Sequence, residues 1–411
     1  MAMLELSGLR PRVCCLDLDT FFVSVERLLD PSLEGKPVVV GGKPGERGVV
    51  TACSYEVRAF GVRSGMSLVE AGKLAPHAIY LPGRHGVYGG YAKRVREIVA
   101  RVAPEIQVAS IDEMYMSLAG CERLYHQPGD VDGDATILRT VRALTATIKT
   151  ELGLPASVGI ACTKTMAKVA SGLAKPAGVL MVPAEDAEAV LAPLPVRKLP
   201  GIGPVAERKL AGIGVQTLGQ VADTPLDALR PIFGAWAESI KRGARGGGAQ
   251  ELGAERPAFR EHDPEGGTVG SISNERTFRE DVRDPAVLES VLTGLVERVC
   301  WRARRRGVVA RTVTLKLRYA DFETLSRGRS ITPSASERDV LPVIRGLFAE
   351  ARTRRTPIRL LGVAFSNLQL ASQPSLFRES EALGEAIDVI RERFGYDAVH
   401  LAPARVIRDR L

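Results

Sequence analysis

The sequence lacks the signatures of several protein classes. Its six cysteines form no C-x-x-C pair, and several lie within apolar runs, as buried thiols do. This pattern indicates a reducing compartment and no zinc site. There is no run of about 18 or more apolar residues, and the N-terminus has no apolar signal-peptide segment. We therefore expect a cytoplasmic protein without a membrane anchor.

What is present is a globular composition with a basic excess. Of 411 residues, 45% are hydrophobic and 25% charged, and the net charge is +8. A chain this long exceeds one core, so about two to four domains are expected. Residues 298–318 contain eight basic side chains and no acid. Such a cluster also suits a solvated helix end, but the whole-chain excess favours a nucleic acid partner.

Two runs place acids among large hydrophobic residues. Residues 13–22 read V-C-C-L-D-L-D-T-F-F, and residues 108–115 read V-A-S-I-D-E-M-Y. If three carboxylates from these runs converged without a cation, each pair at about 4 Å would repel by roughly 4 kcal/mol. Divalent ions with oxygen ligands, Mg²⁺ above all, suit such a site. The runs therefore predict a shared metal site.

Alternation predicts a strand over residues 12–19 with Asp17 and Asp19 on one face. A helix follows from Thr20, and we expect Asp19 to cap it. Downstream, residues 106–118 read as another strand.

That second strand carries Asp112 and Glu113, which are adjacent in the sequence. Neighbours in a regular strand point to opposite faces, so both acids can bind metal only at a bend or at the tip of a hairpin. We predict such a bend at this pair.

The order of elements indicates a ferredoxin-like β-α-β-β-α-β core with an insert at about residues 35–81. A helix over residues 135–152 precedes a strand at 156–161, and the next helix carries Lys164, Lys168 and Lys175. Glycine-separated short helices begin at Pro183, and a Gly-, Glu- and Arg-rich linker precedes a last α/β region. An amphipathic helix at residues 379–395 has no assigned role.

Six motifs occur along residues 12–370. They are L-D-L-D-T-F-F (16–22), S-Y-E-V-R-A-F-G-V (54–62), S-I-D-E (110–113), V-G-I-A-C-T-K-T-M-A-K-V-A-S-G-L-A-K-P-A-G (158–178), L-P-G-I-G (199–203) and S-R-G-R (326–329). In this order and spacing they resemble Y-family translesion DNA polymerases, most closely the DinB, or DNA polymerase IV, branch. One motif alone would be weak, but the ordered set is specific.

The resemblance implies an α+β multidomain fold. Its expected parts are a ferredoxin-like palm (1–30 and 82–182), a small fingers insert (31–81), a helix-hairpin-helix thumb (183–243), a linker (244–266), an α/β little finger (267–370) and a C-terminal tail (371–411). The implied activity is template-directed, low-fidelity DNA synthesis without proofreading, on primer-template DNA and deoxynucleoside triphosphates, by a monomer.

The resemblance also assigns the metal site. Asp17, Asp112 and Glu113 would hold two Mg²⁺ ions, with Mn²⁺ as a possible substitute, and the Leu18 carbonyl would be a further ligand. In a two-metal site one ion activates the primer hydroxyl and the other neutralises the leaving pyrophosphate.

Nucleotide contacts are implied for Phe21, Phe22, Tyr55, Arg58 and Lys175. Phe22 stands at the position of the steric gate, whose ring would collide with a ribose 2′-hydroxyl. The alternative role is a core phenylalanine, which Phe21 fits better. The family often has a threonine shortly before the tyrosine, and whether Thr51 takes that part stays open.

DNA contacts are implied for Gly201, Gly203, Lys316, Arg318, Arg327 and Arg329. The glycines would let backbone N–H groups approach a phosphate, although a glycine-rich turn without a ligand is the alternative. Salt bridges to Asp321 or Glu323 are the competing role for the strand cations.

A clamp-binding peptide is implied by Q-P-S-L-F at residues 373–377, where Gln373, Leu376 and Phe377 would fill pockets on a sliding clamp. Chance is the alternative for so short a motif. Two rival functions are a catalytically silent accessory paralogue, which is expected to lose the carboxylates, and a palm-like nucleotidyl cyclase, which predicts no helix-hairpin-helix.

Overall fold

A computed structural model describes residues 12–253, 270–370, 380–402 and 404. The chain forms two compact units, Met1–Glu261 and His262–Leu411. Within the part of the chain that the structure describes, no helix is long and apolar enough to cross a membrane.

The first unit contains eight described strands and twelve described α-helices. The strands are β1 (Val13–Leu18), β2 (Val38–Val40), β3 (Ala52–Cys53), β4 (Ile79–Leu81), β5 (Glu105–Val108), β6 (Glu113–Ser117), β7 (Ala156–Ala161) and β8 (Val179–Met181). The helices are α1 (Phe21–Leu29), α2 (Tyr55–Arg58), α3 (Leu68–Leu74), α4 (His85–Ala100), α5 (Glu122–Tyr125), α6 (Gly133–Leu152), α7 (Lys164–Ala174), α8 (Ala187–Leu191), α9 (Pro204–Ala211), α10 (Leu218–Asp223), α11 (Leu226–Phe233) and α12 (Ala237–Ala244).

The central sheet has the order β5-β6-β1-β7-β8. Strand β1 is antiparallel to both β6 and β7, and β8 adds a parallel edge to β7. Strands β5, β6, β1 and β7 have the order and directions of a ferredoxin-like core, as the sequence predicts. Every residue of β1 is buried, because helices α1, α4 and α6 cover one face of the sheet and α7 the other.

The expected strand over residues 106–118 is in fact two strands, β5 and β6, which form an antiparallel hairpin. Residues 110–112 form the bend, and Glu113 is the first residue of β6. The backbone N–H groups of Ala109 and Ser110 both donate to the Glu113 carbonyl at 3.0 Å. The predicted bend at Asp112 and Glu113 is therefore confirmed.

A separate small sheet of order β3-β2-β4 lies between α1 and α4 in the chain. Helices α2 and α3 cover it, and Val39, Val57 and Leu68 belong to its own buried core. Farther along the chain, helices α8 to α12 share a buried core with α7. This core includes Leu199 and Leu210.

The second unit has one antiparallel sheet of order β11-β10-β12-β9. Its strands are β9 (Ser271–Val282), β10 (Val308–Tyr319), β11 (Thr324–Ser334) and β12 (Ile358–Leu370), and its helices are α13 (Pro285–Arg304), α14 (Glu337–Ala351) and α15 (Ser380–Phe394). Alternate residues of β10 are buried under α13 and α14. The opposite face of this strand carries its polar residues.

Helix α15 docks on α13 through one buried and one partly buried ion pair. Arg391 Nη2 donates to Glu297 Oε1 at 3.0 Å, and Arg304 Nε donates to Asp388 Oδ2 at 2.7 Å. The amphipathic helix to which the sequence assigned no role therefore packs on α13 within the second unit.

Candidate active site

Strand pairing brings two of the predicted metal ligands together. Asp17, near the end of β1, is the register partner of Glu113 at the start of β6. The Leu18 N–H donates to the Asp112 carbonyl at 2.9 Å, which ties the bend to β1. Directly opposite residues of paired strands project to the same face, so both carboxylates lie on one side of the sheet.

Two lysines converge on these carboxylates. Lys168 Nζ donates to Asp17 Oδ2 at 2.7 Å and also to Glu113 Oε2, and Lys175 Nζ donates to Asp17 Oδ1. Burial by itself lowers the pKa of Lys168, but the negative charges of Asp17 and Glu113 outweigh it and raise that pKa. Lys168 is therefore a fully charged ammonium ion at neutral pH.

Asp112 takes a different partner. The Ser110 hydroxyl, two residues earlier in the bend, donates to its carboxylate. Across the described residues, no three or more acid, His or Cys side chains are arranged to hold a metal ion. The structure thus brings together Asp17 and Glu113 but not the side chain of Asp112.

The donor set nevertheless fits a divalent cation. The two carboxylates already share one positive ion, the Lys168 ammonium group, and they supply the hard oxygen donors that Mg²⁺ prefers.

Asp19 does not cap the helix that follows it, so that expectation is wrong. Thr20 is the cap residue, with φ 44° and no capping hydrogen bond from its side chain. The Asp19 carboxylate instead accepts from the Ser157 hydroxyl at 2.8 Å and from the Ala177 N–H at 2.6 Å. Both donors bind Asp19 Oδ2, and because Asp19 is 1% exposed they take the place that water would have at a helix cap.

Tyr55 links the small sheet's α2 to this centre. Its hydroxyl lies 3.5 Å from Asp19 Oδ1, and the Arg58 guanidinium stacks on its ring at 4.9 Å from the centroid. Burial, followed by the charge of Asp19, raises the pKa of Tyr55 to about 12, so its hydroxyl stays protonated. The Thr51 hydroxyl donates to the Val40 carbonyl at 2.8 Å.

Arg58 Nε is buried without a hydrogen-bond partner. An unsatisfied buried donor of a charged group is costly, so this guanidinium is suited to donate to an anionic ligand. Arg58 contacts Tyr55 and Lys175 lies 3.5 Å from Asp19, so two cationic groups lie next to this tyrosine–aspartate pair.

The two neighbouring phenylalanines have different surroundings. Phe21 is 3% exposed and belongs to the core, so its ring does not reach open space. Phe22 is half-buried and stacks on Tyr88 with ring centroids 4.2 Å apart, while His85 meets it edge-on at 5.7 Å. The Tyr88 hydroxyl is in turn held by Glu26 at 2.6 Å.

The predicted glycine contacts lie before α9. Gly201 has φ +96°, a conformation that side-chain-bearing residues rarely adopt, and Gly203 is the N-cap residue of α9. Gly203 has no side chain, and no atom lies within 4 Å of the place where its Cβ would be, so a ligand can approach the start of α9.

The predicted DNA contacts of the second unit do not all share one face of the sheet. Lys316 and Arg318 alternate with buried Leu315 and Leu317 and lie on the face away from the helices. By register, Arg327 pairs with Leu315 and Arg329 with Val313, which puts both arginines on the helix-facing side of the exposed strand β11.

Two of these cations are already in ion pairs. Lys316 reaches across Gly362 to Glu275 at 2.9 Å, and Arg329 pairs with Glu350 at 2.6 Å. Arg318 Nε donates to the Thr324 hydroxyl at 2.7 Å, and Arg327 donates to the Ser326 carbonyl at 3.0 Å.

The proposed salt bridges to Asp321 and Glu323 exist, but Arg354 makes both of them. The clamp-binding residues Gln373, Leu376 and Phe377 lie outside the described residues.

Sequence reasoning missed the role of Lys168. A signal was available, since Lys168 and Lys175 are seven residues apart and seven residues are about two helical turns. A helix continued to Lys175 would start both side chains from the same side. In the structure α7 ends at Ala174, and Lys175 reaches Asp17 as the residue that follows the helix.

Three family models match the chain. The impB/mucB/samB family matches residues 16–172, its C-terminal domain residues 269–376, and the IMS family HHH motif residues 184–215. The last match supports the helix-hairpin-helix expected around Gly201 and Gly203.

Curated relatives cover nearly the whole chain. DNA polymerase IV of Dehalococcoides mccartyi is 37% identical over 408 residues, 97% of this chain and 98% of the relative. DNA polymerase IV of Halorhodospira halophila is 38% identical over 359 residues, 87% and 95% of the two chains.

Solved structures agree. A Y-family DNA polymerase chimera based on Dbh matches with a TM-score of 0.72 at 25% identity, covering 87% of this chain and 99% of that one. DinB from Sulfolobus solfataricus matches with a TM-score of 0.54 at 26% identity, covering 86% and 98%.

These comparisons confirm the expected fold class and the prediction of a translesion DNA polymerase, and they do not support the catalytically silent alternative. As a polymerase of this kind, the protein depends on divalent metal ions. The chain belongs to the Y-family of DNA polymerases, in the DinB, or DNA polymerase IV, branch.

Proposed function

We propose that this chain performs template-directed, low-fidelity DNA synthesis past damaged bases with the cluster around Asp17 as its catalytic centre. The observation that carries the proposal is the pairing of Asp17 with Glu113 on adjacent strands, with the Lys175 ammonium group beside them. Carboxylates for metal and a lysine for phosphate are the groups that nucleotidyl transfer requires.

In this proposal Asp17, Asp112, Glu113 and the Leu18 carbonyl hold two divalent ions, Mg²⁺ by preference and Mn²⁺ as a substitute. When bound, the ions activate the primer 3′-hydroxyl and neutralise the leaving pyrophosphate. The Asp112 carboxylate accepts from Ser110 in the bend, and in this proposal it gives up that hydrogen bond when it turns to the shared site. Asp19 and Tyr55 orient Lys175 and Arg58.

The nucleotide contacts follow from the charges around this centre. Lys175 and Arg58 bind the triphosphate, and the unpartnered Arg58 Nε supports this role. The half-buried ring of Phe22, backed by Tyr88, acts as the steric gate against a ribose 2′-hydroxyl. Phe21 contributes through its backbone, because its ring is buried.

DNA binding is assigned to both units. Backbone N–H groups at Gly201 and Gly203 approach a phosphate. Lys316 and Arg318 on the face away from the helices, and Arg327 and Arg329 on the exposed strand β11, contribute positive charge for the duplex. Lys316 and Arg329 would exchange their carboxylate partners for phosphates.

The domain layout proposed is that expected from the sequence: palm 1–30 and 82–182, fingers 31–81, thumb 183–243, linker 244–266, little finger 267–370 and tail 371–411. The enzyme acts as a cytoplasmic monomer, and Gln373, Leu376 and Phe377 of the tail bind a sliding clamp. A deletion of residues 373–377 that keeps full stimulation by the clamp would disprove the last assignment.

The decisive experiment is primer extension with Mg²⁺, comparing the wild type with the double variant Asp112→Ala, Glu113→Ala. We expect extension by the wild type and none by the variant. Absence of extension by the wild type would overturn the proposal, and unchanged extension by the variant would move the catalytic centre elsewhere.

A further inference from the structure

Lys168 lies between the two carboxylates proposed to hold the divalent ions. Its ammonium group contacts Asp17 Oδ2 at 2.7 Å and also Glu113 Oε2. The lysine side chain is 28% exposed, and those of the two acids 12% and 18%. One cation from α7 therefore bridges two acids that come from different strands.

The fold holds α7 in the place that this contact requires. A Cβ atom at Gly159 would lie 2.1 Å from the Ala167 carbonyl oxygen and 2.2 Å from the Ser171 nitrogen. Only glycine at this position lets α7 lie so close to β7. Thr163 caps the start of the helix by accepting from the Met166 N–H at 3.2 Å.

Lys175 does not duplicate this bridge. It contacts Asp17 and lies 3.5 Å from Asp19, and it follows the last residue of α7. Within the described ranges, Lys168 is the cation that contacts both Asp17 and Glu113.

We propose that Lys168 is a positioning residue, an internal counter-ion that holds Asp17 and Glu113 side by side and competes with divalent ions for their oxygens. This inference rests on the proposed metal-binding role of the two acids. A divalent ion that takes Asp17 Oδ2 or Glu113 Oε2 must displace the ammonium group from that oxygen. Lys168 therefore weakens metal binding until an incoming triphosphate offers the displaced ammonium group another anionic partner.

Metal binding to the full chain without DNA or nucleotide tests the proposal. Free Mn²⁺ is measured by electron paramagnetic resonance, which needs no catalysis. Lys168→Met removes the charge and keeps a long side chain, and we expect its dissociation constant for Mn²⁺ to fall at least about threefold. We also expect a lower Tm in EDTA and a larger rise of Tm with Mn²⁺ than in the wild type.

Lys93→Met is the matched control. Lys93 lies on α4, is 80% exposed and has a weak ion pair with Glu97 at 4.0 Å. Lys93→Met therefore removes the same charge at a position away from the site. Its Mn²⁺ affinity should equal that of the wild type. Lys168→Gln serves as a second variant if Lys168→Met does not fold.

Unchanged or weaker Mn²⁺ binding by a folded Lys168 variant would overturn the inference. Asp17→Asn separates this failure from failure of the proposed function. If Asp17→Asn loses Mn²⁺ while Lys168→Met binds like the wild type, only the counter-ion role is wrong. If Asp17→Asn binds Mn²⁺ like the wild type, the proposed metal site itself is wrong.

Discussion

The chain contains two clusters of opposite charges that differ in burial. In the second unit, the side chains of Glu297 and Arg391 are 2% and 1% exposed. Glu297 also accepts from the Leu401 N–H at 2.8 Å and lies 3.2 Å from His400 Nδ1. In the first unit, the side chains of Asp17 and Lys168 are 12% and 28% exposed.

This difference separates a structural cluster from a chemical one. The oxygens of Glu297 meet donors of the protein itself, so the cluster fixes α15 on α13. The ammonium groups beside Asp17 end long lysine side chains at a partly exposed site, where our proposal has divalent cations replace them. Charge alone does not distinguish the two clusters, whereas burial does.

The largest expected effect tests the chemical cluster. Asp17→Asn should reduce primer extension at least about 10³-fold, because several kcal/mol of transition-state stabilisation by the metal ions is lost. The Tm should change by only a few degrees, since the residue keeps its shape. Steady-state extension assays and thermal unfolding measure the two quantities. A variant with near-normal activity would contradict the comparison.

The structural cluster should respond in the opposite way. Arg391→Met leaves the Glu297 carboxylate buried without its ion-pair partner and should lower the free energy of unfolding by about 3–5 kcal/mol. Polymerase activity per folded molecule should stay near that of the wild type. Chemical denaturation measures the loss.

A double variant, Arg391→Met with Glu297→Leu, provides the control. It removes both charges and should recover at least half of the lost stability, because no buried charge remains unpaired. Equal instability of the single and double variants would show that packing, and not the ion pair, anchors α15.

The next smaller expected effect concerns discrimination between ribonucleotides and deoxynucleotides. Phe22→Ala removes the ring stacked on Tyr88 and should raise ribonucleotide incorporation relative to deoxynucleotide incorporation at least about tenfold. Phe60→Ala, at a ring 46% exposed and elsewhere in the unit, is the control and should leave the ratio unchanged. Competition between the two nucleotides in single-turnover extension measures it.

The smallest effect concerns DNA affinity. The Arg318 guanidinium donates to the Thr324 hydroxyl and should contribute to phosphate binding. Arg318→Ala should therefore lower the slope of log K against log salt by about one. Arg354 is paired with Asp321 and Glu323, so Arg354→Ala should leave the slope unchanged. Titrations at several salt concentrations distinguish the two.

Local patterns predicted most of the fold around the candidate site. Alternation located β1 and its acids, and adjacency of Asp112 and Glu113 required the hairpin bend that the structure has. The expected single strand was wrong because side-chain periodicity does not show where a chain reverses direction.

Partners of individual side chains were less predictable. Asp19 was expected to cap α1, but Ser157 and Ala177, more than 130 residues away in sequence, supply its donors. The bridging role of Lys168 and the pairing of Lys316 with Glu275 likewise depend on which strands are neighbours.

The sequence by itself determined the family, the order of its elements and the residues proposed for nucleotidyl transfer, because these depend on residue types and spacing along the chain. The tertiary structure alone decided which acids share a cation and which have their oxygens occupied by hydrogen-bond donors of the protein. Those outcomes depend on distance and burial in space, which arise only when strands from different parts of the chain pair.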